Sequence, residues 1–439
     1  MSISSFLGLE TALRGLQAHQ AALDVTTHNV ANASTDGYTR QEAVLSASRP
    51  LVLPAGQTAS GGAAMLGQGV DVESFNRIRD QFADLQYRAQ NMALGQSQTN
   101  ANMLGQVQDV LSEPGEDGLS AVLSKFWDSW DAFSNNPENS ATREAVVNQG
   151  QLLTDRINQL STQMAGVQAQ AQQQYSLQTG PNGDVLKAAN QIAQLNLAIK
   201  SSVGQGGQPN DLLDQRDKAL DTLSSLAQVK VTDAGDGTVT VNFGDAAQPL
   251  VSGGTVTWPQ TLTTASGGSL GALLQLGDPT TGTIAGYMSK VDSFVSTLSS
   301  TVNAAYGGTF FNGTTGATLA VAETPTTLHA STLATPPSGA NDAALAVAAL
   351  RSGSADQSYS ALVAGIGGDV ASAQDQQSSA QALVSAAQDR RQSTAGVSID
   401  EEMSNMIRFQ RGYQASARVM TTLDQMLDTL INKTGTVGL

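Results

Sequence analysis

Apolar residues recur at alternating steps of four and three at both ends of the chain. One series runs from Phe6 to Val30 and the other from Ile399 to Ile431. This heptad spacing is typical of a narrow seam that faces a partner helix. We therefore predict that the chain begins and ends in one two-helix rod, as in a protein built into an assembly. The apolar residues assigned to this assembly interface are Phe6, Leu9, Leu13, Leu16, Leu23, Val30, Ile399, Met403, Met406, Tyr413, Met420, Leu427 and Ile431.

Between the two ends, most of the sequence has a helical period, and one stretch alternates with a period of two. The predicted helices cover 3–31, 75–111, 119–133, 141–177, 184–202, 210–227, 283–305, 343–351, 355–393 and a last one from 398. Alternation with Gly and Asp turns predicts strands within 229–276. Residues 39–74 look irregular apart from a strand at 70–72, and 307–343 look like loop or short strands. The fold class is therefore mainly α with a small β insert.

This order of elements predicts three parts. Residues 1–50 and 395–439 form a terminal helical domain, and 51–228 with 277–394 form an elongated helical domain. Residues 229–276 form a small β-rich domain, and 307–340 are a candidate remnant of a further outer domain.

The composition excludes some classes of partner. Charged residues make up only 14% of the chain, and the net charge is −16 with no basic run, so we expect no nucleic-acid partner. There is no apolar run of about eighteen residues and no cleavable secretory signal, so we expect no membrane insertion. The chain has no cysteine, which suits a protein destined for the outside and equally a cytosolic one.

One motif suggests catalysis. Gly267–Gly271 match the G-x-S-x-G pattern of a serine hydrolase, with Ser269 as the nucleophile. That reaction needs a base, and the only histidines are His19, His28 and His329. Two of them lie in the N-terminal seam helix and the third in a low-complexity stretch. A glycine-rich turn is therefore the favoured interpretation.

Other motifs have equally plain interpretations. Asp233–Gly237 lack the ligand rhythm of a calcium loop, and Gly204–Gly207 lack the lysine of a phosphate loop. The aromatic cluster at 126–133 suits either a sugar or partner platform or, more simply, a helix core. We expect no catalytic residue, no cofactor and no bound metal.

Three stretches carry a resemblance to a known family. Ala22–Asn32 with Asp36–Gln41 resembles the N-terminal signature of bacterial flagellar axial proteins, with Asn29, Asn32, Gly37, Tyr38 and Arg40 as signature residues. Pro209–Asp217 resembles an internal motif of the hook-associated members. Val397–Glu402 with Ile407–Ala415 resembles their C-terminal motif. Together these stretches span the chain, although its β part is smaller than in many members.

The resemblance implies a structural protein of the flagellum at the hook–filament junction, exported by the flagellar type III system without a cleaved signal. It implies terminal helices that line the inner tube, and a ring of like subunits between the hook protein and the third hook-associated protein. It also implies a cytoplasmic export chaperone on the C-terminal helix. Two alternatives remain: an extracellular adhesin with coiled-coil ends, and a serine hydrolase using Ser269.

Overall fold

A computed structural model describes residues 5–53, 64–116 and 118–432, apart from a few side chains at the edges of these ranges. The helices are α1 (Ser5–Asn32), α2 (Gln81–Leu111), α3 (Leu119–Asn135), α4 (Ser140–Thr179), α5 (Asp184–Gly204), α6 (Asn210–Leu226), α7 (Gly268–Gly277), α8 (Thr283–Tyr306), α9 (Asp342–Ala348), α10 (Ser354–Ala395) and α11 (Ile399–Asn432). The strands are β1 (Gln41–Ala47), β2 (Leu51–Leu53), β3 (Ala64–Leu66), β4 (Val70–Arg77), β5 (Val229–Asp233), β6 (Val239–Phe243), β7 (Val251–Ser252), β8 (Thr255–Val256), β9 (Phe311–Asn312) and β10 (Ala320–Val321). The predicted fold class, mainly α with a small β insert, is confirmed.

The first and last helices, α1 and α11, lie antiparallel against each other and form what we call the terminal pair. The helical body consists of α2 to α10 with the sheets between them, and α2 and α10 are its longest antiparallel neighbours. No helix in the described ranges is long and apolar enough to cross a membrane.

The core of the body is built around α3. Phe126, Trp127, Trp130 and Phe133 are each at most 1% exposed, so the core interpretation of this cluster is confirmed. Trp130 also packs edge-on against Phe310, with 5.1 Å between ring centroids. The low-complexity stretch 307–340 therefore packs onto the helical body through its own buried aromatic residues.

The predicted β insert is wrong in its second half. Strands β5 to β8 form a four-stranded antiparallel sheet in sequence order, but the chain then forms a short 3₁₀ turn and helix α7. Leu270, Leu273 and Leu276 are at most 2% exposed. A spacing of three residues places all three leucines on one face of a helix. In a strand the middle leucine would lie on the opposite face from the other two.

The prediction for residues 39–74 also needs correction. The strand at 70–72 is confirmed as part of β4, but the stretch before it is not irregular: β1 pairs with β4 and β2 pairs with β3 as two antiparallel arms, and 54–63 lie outside the described residues. A register shift between Val44 and Leu45 breaks the period-two pattern and hid β1. Helix α2 begins at Gln81 rather than at Phe75, because Asp80 caps it by accepting a 2.8 Å hydrogen bond from the Phe82 N–H.

Candidate assembly interface

Small residues line the contact between α1 and α11. Gly8 faces Leu423, and Gly15 faces Ser416, one heptad further along each helix in opposite directions. His19 lies against Gly412, where an added Cβ would come within 2.6 Å of the imidazole ring. Ala12, Ala22 and Thr26 continue the same column and are buried. The two backbones approach closely because glycine and alanine occupy the seam of α1.

The leucines predicted to form the α1 seam lie beside it. They follow the seam column by one residue, which is about 100° around a helix. Leu9, Leu16, Leu23 and Val30 are half-buried, and Leu13 is 39% exposed. The side chain of Phe6 lies outside the described residues. We call the column Leu9, Leu13, Leu16, Gln20, Leu23, Thr27 and Val30 the leucine stripe; it has the predicted heptad spacing and flanks the small residues that contact α11.

On α11 the predicted interface residues divide into two groups. Met406, Tyr413, Met420 and Leu427 are half-buried and alternate with Glu402, Phe409, Ser416 and Leu423 in the contact with α1. The other three are exposed: Met403 by 47%, Ile399 by 54% and Ile431 by 74%. Half of the predicted residues of α11 therefore lie in the contact with α1 and the others are open to solvent, and their assignment to an interface between copies stays a prediction.

Asn29 is the hub of the family-signature residues and is only 1% exposed. Its Oδ1 accepts hydrogen bonds from the Tyr38 hydroxyl (2.8 Å) and the Gln41 N–H (3.0 Å). Its Nδ2 donates to the Gln41 carbonyl (2.9 Å) and to Glu402 Oε2 (3.2 Å). All the hydrogen-bonding capacity of one amide thus joins α1, β1 and α11.

The remaining signature residues shape the loop between α1 and β1, residues 33–40, which we call the signature loop. Asn32 caps the end of α1: its Nδ2 donates to the His28 carbonyl and its Oδ1 accepts from Thr35. Gly37 has a φ of +84°, which favours glycine. Burial, together with the nearby carboxylates of Asp211, Asp214 and Glu402, raises the pKa of Tyr38, so its hydroxyl stays a donor.

Arg40 joins the signature loop to the C-terminal helix. Its Nε donates to Glu402 Oε1 at 2.7 Å, and its Nη1 lies 3.1 Å from Glu401 Oε2. Glu402 is 2% exposed and is a site residue that the sequence analysis did not single out. Its signal is the acidic run Asp400–Glu402, since three consecutive residues span about 200°, more than half of the circumference of a helix.

Ser398 and Glu401, at the start of α11, have the spacing of a capping box, but the box forms only in part. Ser398 Oγ accepts a 3.5 Å contact from the Glu401 N–H, as expected for an N-cap. The side chain of Glu401, however, pairs with Arg40 instead of returning to the Ser398 backbone.

Ser269 has no catalytic surroundings. It lies in α7, and its hydroxyl donates to Gln178 Oε1 at 3.3 Å. His329 pairs with the Tyr306 hydroxyl at 2.7 Å, and His19 and His28 lie on α1. Among the described residues, no group of three acidic or histidine side chains could hold a metal ion.

Comparison with known proteins accounts for both the ends and the middle of the chain. A model of the flagellar hook-associated protein FlgK helical domain matches residues 104–265. Models of the flagellar basal body rod FlgEFG protein C-terminal region and of the flagella basal body rod protein match residues 379–433 and 9–39. Flagellar hook-associated protein 1 of Bacillus subtilis (strain 168) is 32% identical to this chain, and the alignment covers 99% of both.

This chain belongs to the flagellar hook-associated protein 1 family. A Salmonella typhimurium relative with that name is 31% identical over 56% of this chain and 42% of its own length. The solved flagellar hook junction protein FlgK from Burkholderia pseudomallei aligns with 52% of this chain and 46% of its own, at 23% identity and a TM-score of 0.44. The chain thus spans nearly all of the Bacillus relative and less than half of the Salmonella one.

Membership of this family establishes a structural role in the bacterial flagellum. The family is structural and not enzymatic, which excludes the hydrolase alternative at Ser269. A component of the flagellum interacts with other flagellar components, and this role replaces the adhesin alternative.

Proposed function

We propose that this chain is the subunit of a short ring that joins the flagellar hook to the filament. The observation that carries the proposal is the alignment over 99% of both chains with a relative named flagellar hook-associated protein 1. The architecture supports it, since both ends of the chain are committed to one slender helix pair that buries little apolar surface of its own.

The proposed contacts between copies use the leucine stripe of α1 and the exposed apolar residues of α11. Several large apolar side chains of the terminal pair are exposed to solvent: Leu13, Ile399, Met403 and Ile431. Exposed apolar surface of this kind marks an interaction site. Met406, Tyr413, Met420 and Leu427 then act indirectly, by holding α11 against α1 so that both columns keep a fixed spacing.

The proposed partners are the hook protein on one side of the ring and the third hook-associated protein on the other. Export occurs through the flagellar type III route, and a cytoplasmic chaperone covers α11 beforehand. The exposed apolar residues of α11 support this last step, because they need a cover until assembly.

The division into parts also remains a proposal. In it, the terminal helices line an inner tube, the helical body surrounds them, and the sheet β5–β8 with α7 lies further out. The sheet supports this position, since it packs on α5 and α6 and its turns at Gly235 and Gly253 are open to solvent.

The test replaces the native gene with variants of this chain in its own host. With no copy of the gene present, motility should be lost and filament protein should accumulate in the medium. Normal filaments in that strain would refute the junction role.

The double variant Leu13→Asp, Leu16→Asp should be exported but not retained at the hook tip. Leu152→Asp on α4, where the leucine is 54% exposed, is the matched control and should assemble normally. Normal junctions in the double variant would reject the leucine stripe as an interface.

A further inference from the structure

Helix α10 of the helical body has three glycines close together near its middle: Gly365, Gly367 and Gly368. Each glycine in a helix interior makes the helix less stable than alanine would, by about a factor of four. A Cβ built on any of the three would meet no atom of the described residues within 4 Å. These glycines therefore weaken α10 although no close neighbour inside the subunit requires them.

The first half of α10 is part of the aromatic core. Tyr359, Leu362 and Ile366 are buried and belong to the larger of the two apolar clusters. The ring of Tyr359 lies 5.3 Å from that of Phe294 in α8, centroid to centroid. The last residue of α10 in this cluster is Ala373. The core thus holds α10 as far as the glycines and the next turn beyond them.

The second half of α10 is attached by smaller side chains. Its buried residues are Ala380, Val384, Ala387 and Ala395, and none of them belongs to either apolar cluster found in the described residues. Leu383, the one leucine of this half, is 53% exposed. Alanine and valine remove little apolar surface from water, so this half gains little free energy from its contact with α2.

An open groove lies where the second half of α10 begins to run along α2. It has a volume of about 580 Å³ and extends from Gly368 to Leu383. Its walls are mainly small and polar, such as Gln90 and Ala93 of α2 and Ser372 of α10. Packed helices normally leave few voids, so the groove marks a loose contact between these two helices.

Polar contacts hold α10 again near its C-terminal end. Arg390 Nη1 donates to Gln86 Oε1 of α2 at 3.1 Å. Arg391 binds Asp221 of α6, and its guanidinium lies 4.1 Å from the centre of the Tyr87 ring. The weakly attached part of α10 is therefore a span between two better attached parts. Few buried apolar contacts and an exposed surface are the features of a segment that opens locally.

We infer that residues 369–383 of α10 open locally in the folded subunit, with Gly365–Gly368 as the joint at which the helix bends away from α2. The aromatic core stays closed during this opening. One side of the helical body can then adapt its shape to a neighbouring molecule without disturbing the core. The inference concerns the body of the isolated subunit and does not depend on the proposed function.

The test is amide hydrogen exchange on the purified full-length chain, followed by mass spectrometry of its peptides. We expect the amides of 369–383 to exchange at least about tenfold faster than those of 355–366. Exchange should slow again at 388–393, where the two arginines are bound. Equal protection along the whole of α10 would overturn the inference. So would a steady rise in exchange towards Ala395, because that profile indicates fraying from the helix end.

A triple variant tests the role of the glycines. Gly365→Ala, Gly367→Ala and Gly368→Ala together meet open space, so the chain should fold normally. They should slow exchange in 369–383 by about tenfold or more. The matched control is Gly166→Ala on α4, a helical glycine that also faces open space, and it should leave exchange in α10 unchanged. Exchange in 369–383 that is equally fast in the triple variant would show that the glycines are not the joint and would overturn the inference.

Discussion

The helical body and the terminal pair are both long helices packed in antiparallel, yet they bury very different residues. The body encloses tryptophan, phenylalanine and tyrosine side chains that are almost wholly removed from water. The terminal pair closes over glycine, alanine, threonine and asparagine and leaves its leucines at the edge of the contact. The body is therefore complete as a folded unit, whereas the pair keeps its larger apolar side chains for surfaces outside the subunit.

The largest expected effect of a single change is in the aromatic core. Trp130 is 0% exposed, and Trp130→Ala should lower the free energy of unfolding by about 3–5 kcal/mol. Denaturant unfolding followed by circular dichroism measures it. Leu13→Ala in the leucine stripe should change the same free energy by less than about 0.5 kcal/mol. Equal losses in the two variants would contradict the contrast between body and pair.

The second prediction concerns the amide at the base of the pair. Asn29→Ala leaves the Tyr38 hydroxyl, the Gln41 backbone and one Glu402 oxygen without a partner, a cost of about 3 kcal/mol. Hydrogen exchange should become faster throughout α1 and α11 and stay unchanged in α3 and α4. The matched control is Asn303→Ala, since Asn303 makes a similar set of bonds to Phe310 and Phe311. It should loosen residues 307–322 and spare the terminal pair.

A smaller effect is expected from one methyl group in the seam. Gly412→Ala places a Cβ within 2.6 Å of the His19 ring, and overpacking of this kind costs about 1–3 kcal/mol. The terminal pair should lose amide protection while the melting temperature of the body stays constant. Gly105→Ala, inside α2 with open space beside it, should instead add about 0.5–1 kcal/mol. A tolerated Gly412→Ala would mean that the two helices do not approach so closely in solution.

The smallest expected effect is a dependence on pH. Burial alone would raise the pKa of Asp217, but the charges of Arg79, Arg77 and Arg88 outweigh it and hold the pKa below its usual 3.8. Such a carboxylate adds stability above its unfolded pKa, and this stability is lost as the pH falls through the folded pKa. The difference in unfolding free energy between the unmodified chain and Asp217→Asn, measured by denaturant unfolding, should therefore stay constant from pH 8 to about 5 and shrink below about pH 4. A change already complete near pH 6 would contradict an origin in the Asp217 carboxylate.

Patterns that are local in the sequence were predicted well. The helices of the body have strong periodicity, and most of their predicted ranges agree with the structure to within a few residues. Helix α7 was missed because glycine and threonine before it resemble strand and turn sequence. The seam of α1 was misplaced by one residue, because a hydrophobic pattern selects the largest apolar side chains, whereas a close helix contact selects the smallest.

The contacts between α6 and the signature loop could not be predicted from neighbouring residues in the sequence. Asp214 and Lys218 stand four apart on α6, a spacing that favours an ion pair along the helix. In the structure Lys218 reaches Asp36 at 2.9 Å, and Asp214 binds Thr39 and Arg77. All three partners are more than 130 residues away in sequence, and only the folded chain brings them together.

The ion pairs on α6 also set a schedule for synthesis. Their carboxylates, Asp214, Asp217 and Asp221, and the arginines Arg77, Arg79 and Arg88 are all present once α6 has left the ribosome, but Arg391 and Glu402 follow at least 165 residues later. Until they emerge, Asp221 lacks one of its two cations, and Asn29 and Arg40 lack the carboxylate that they share. A growing chain can therefore consolidate its aromatic core while α1 has only the arms of β1 and β4 to contact. Helix α11 completes the terminal pair, so an unfinished subunit cannot present the pair to another copy.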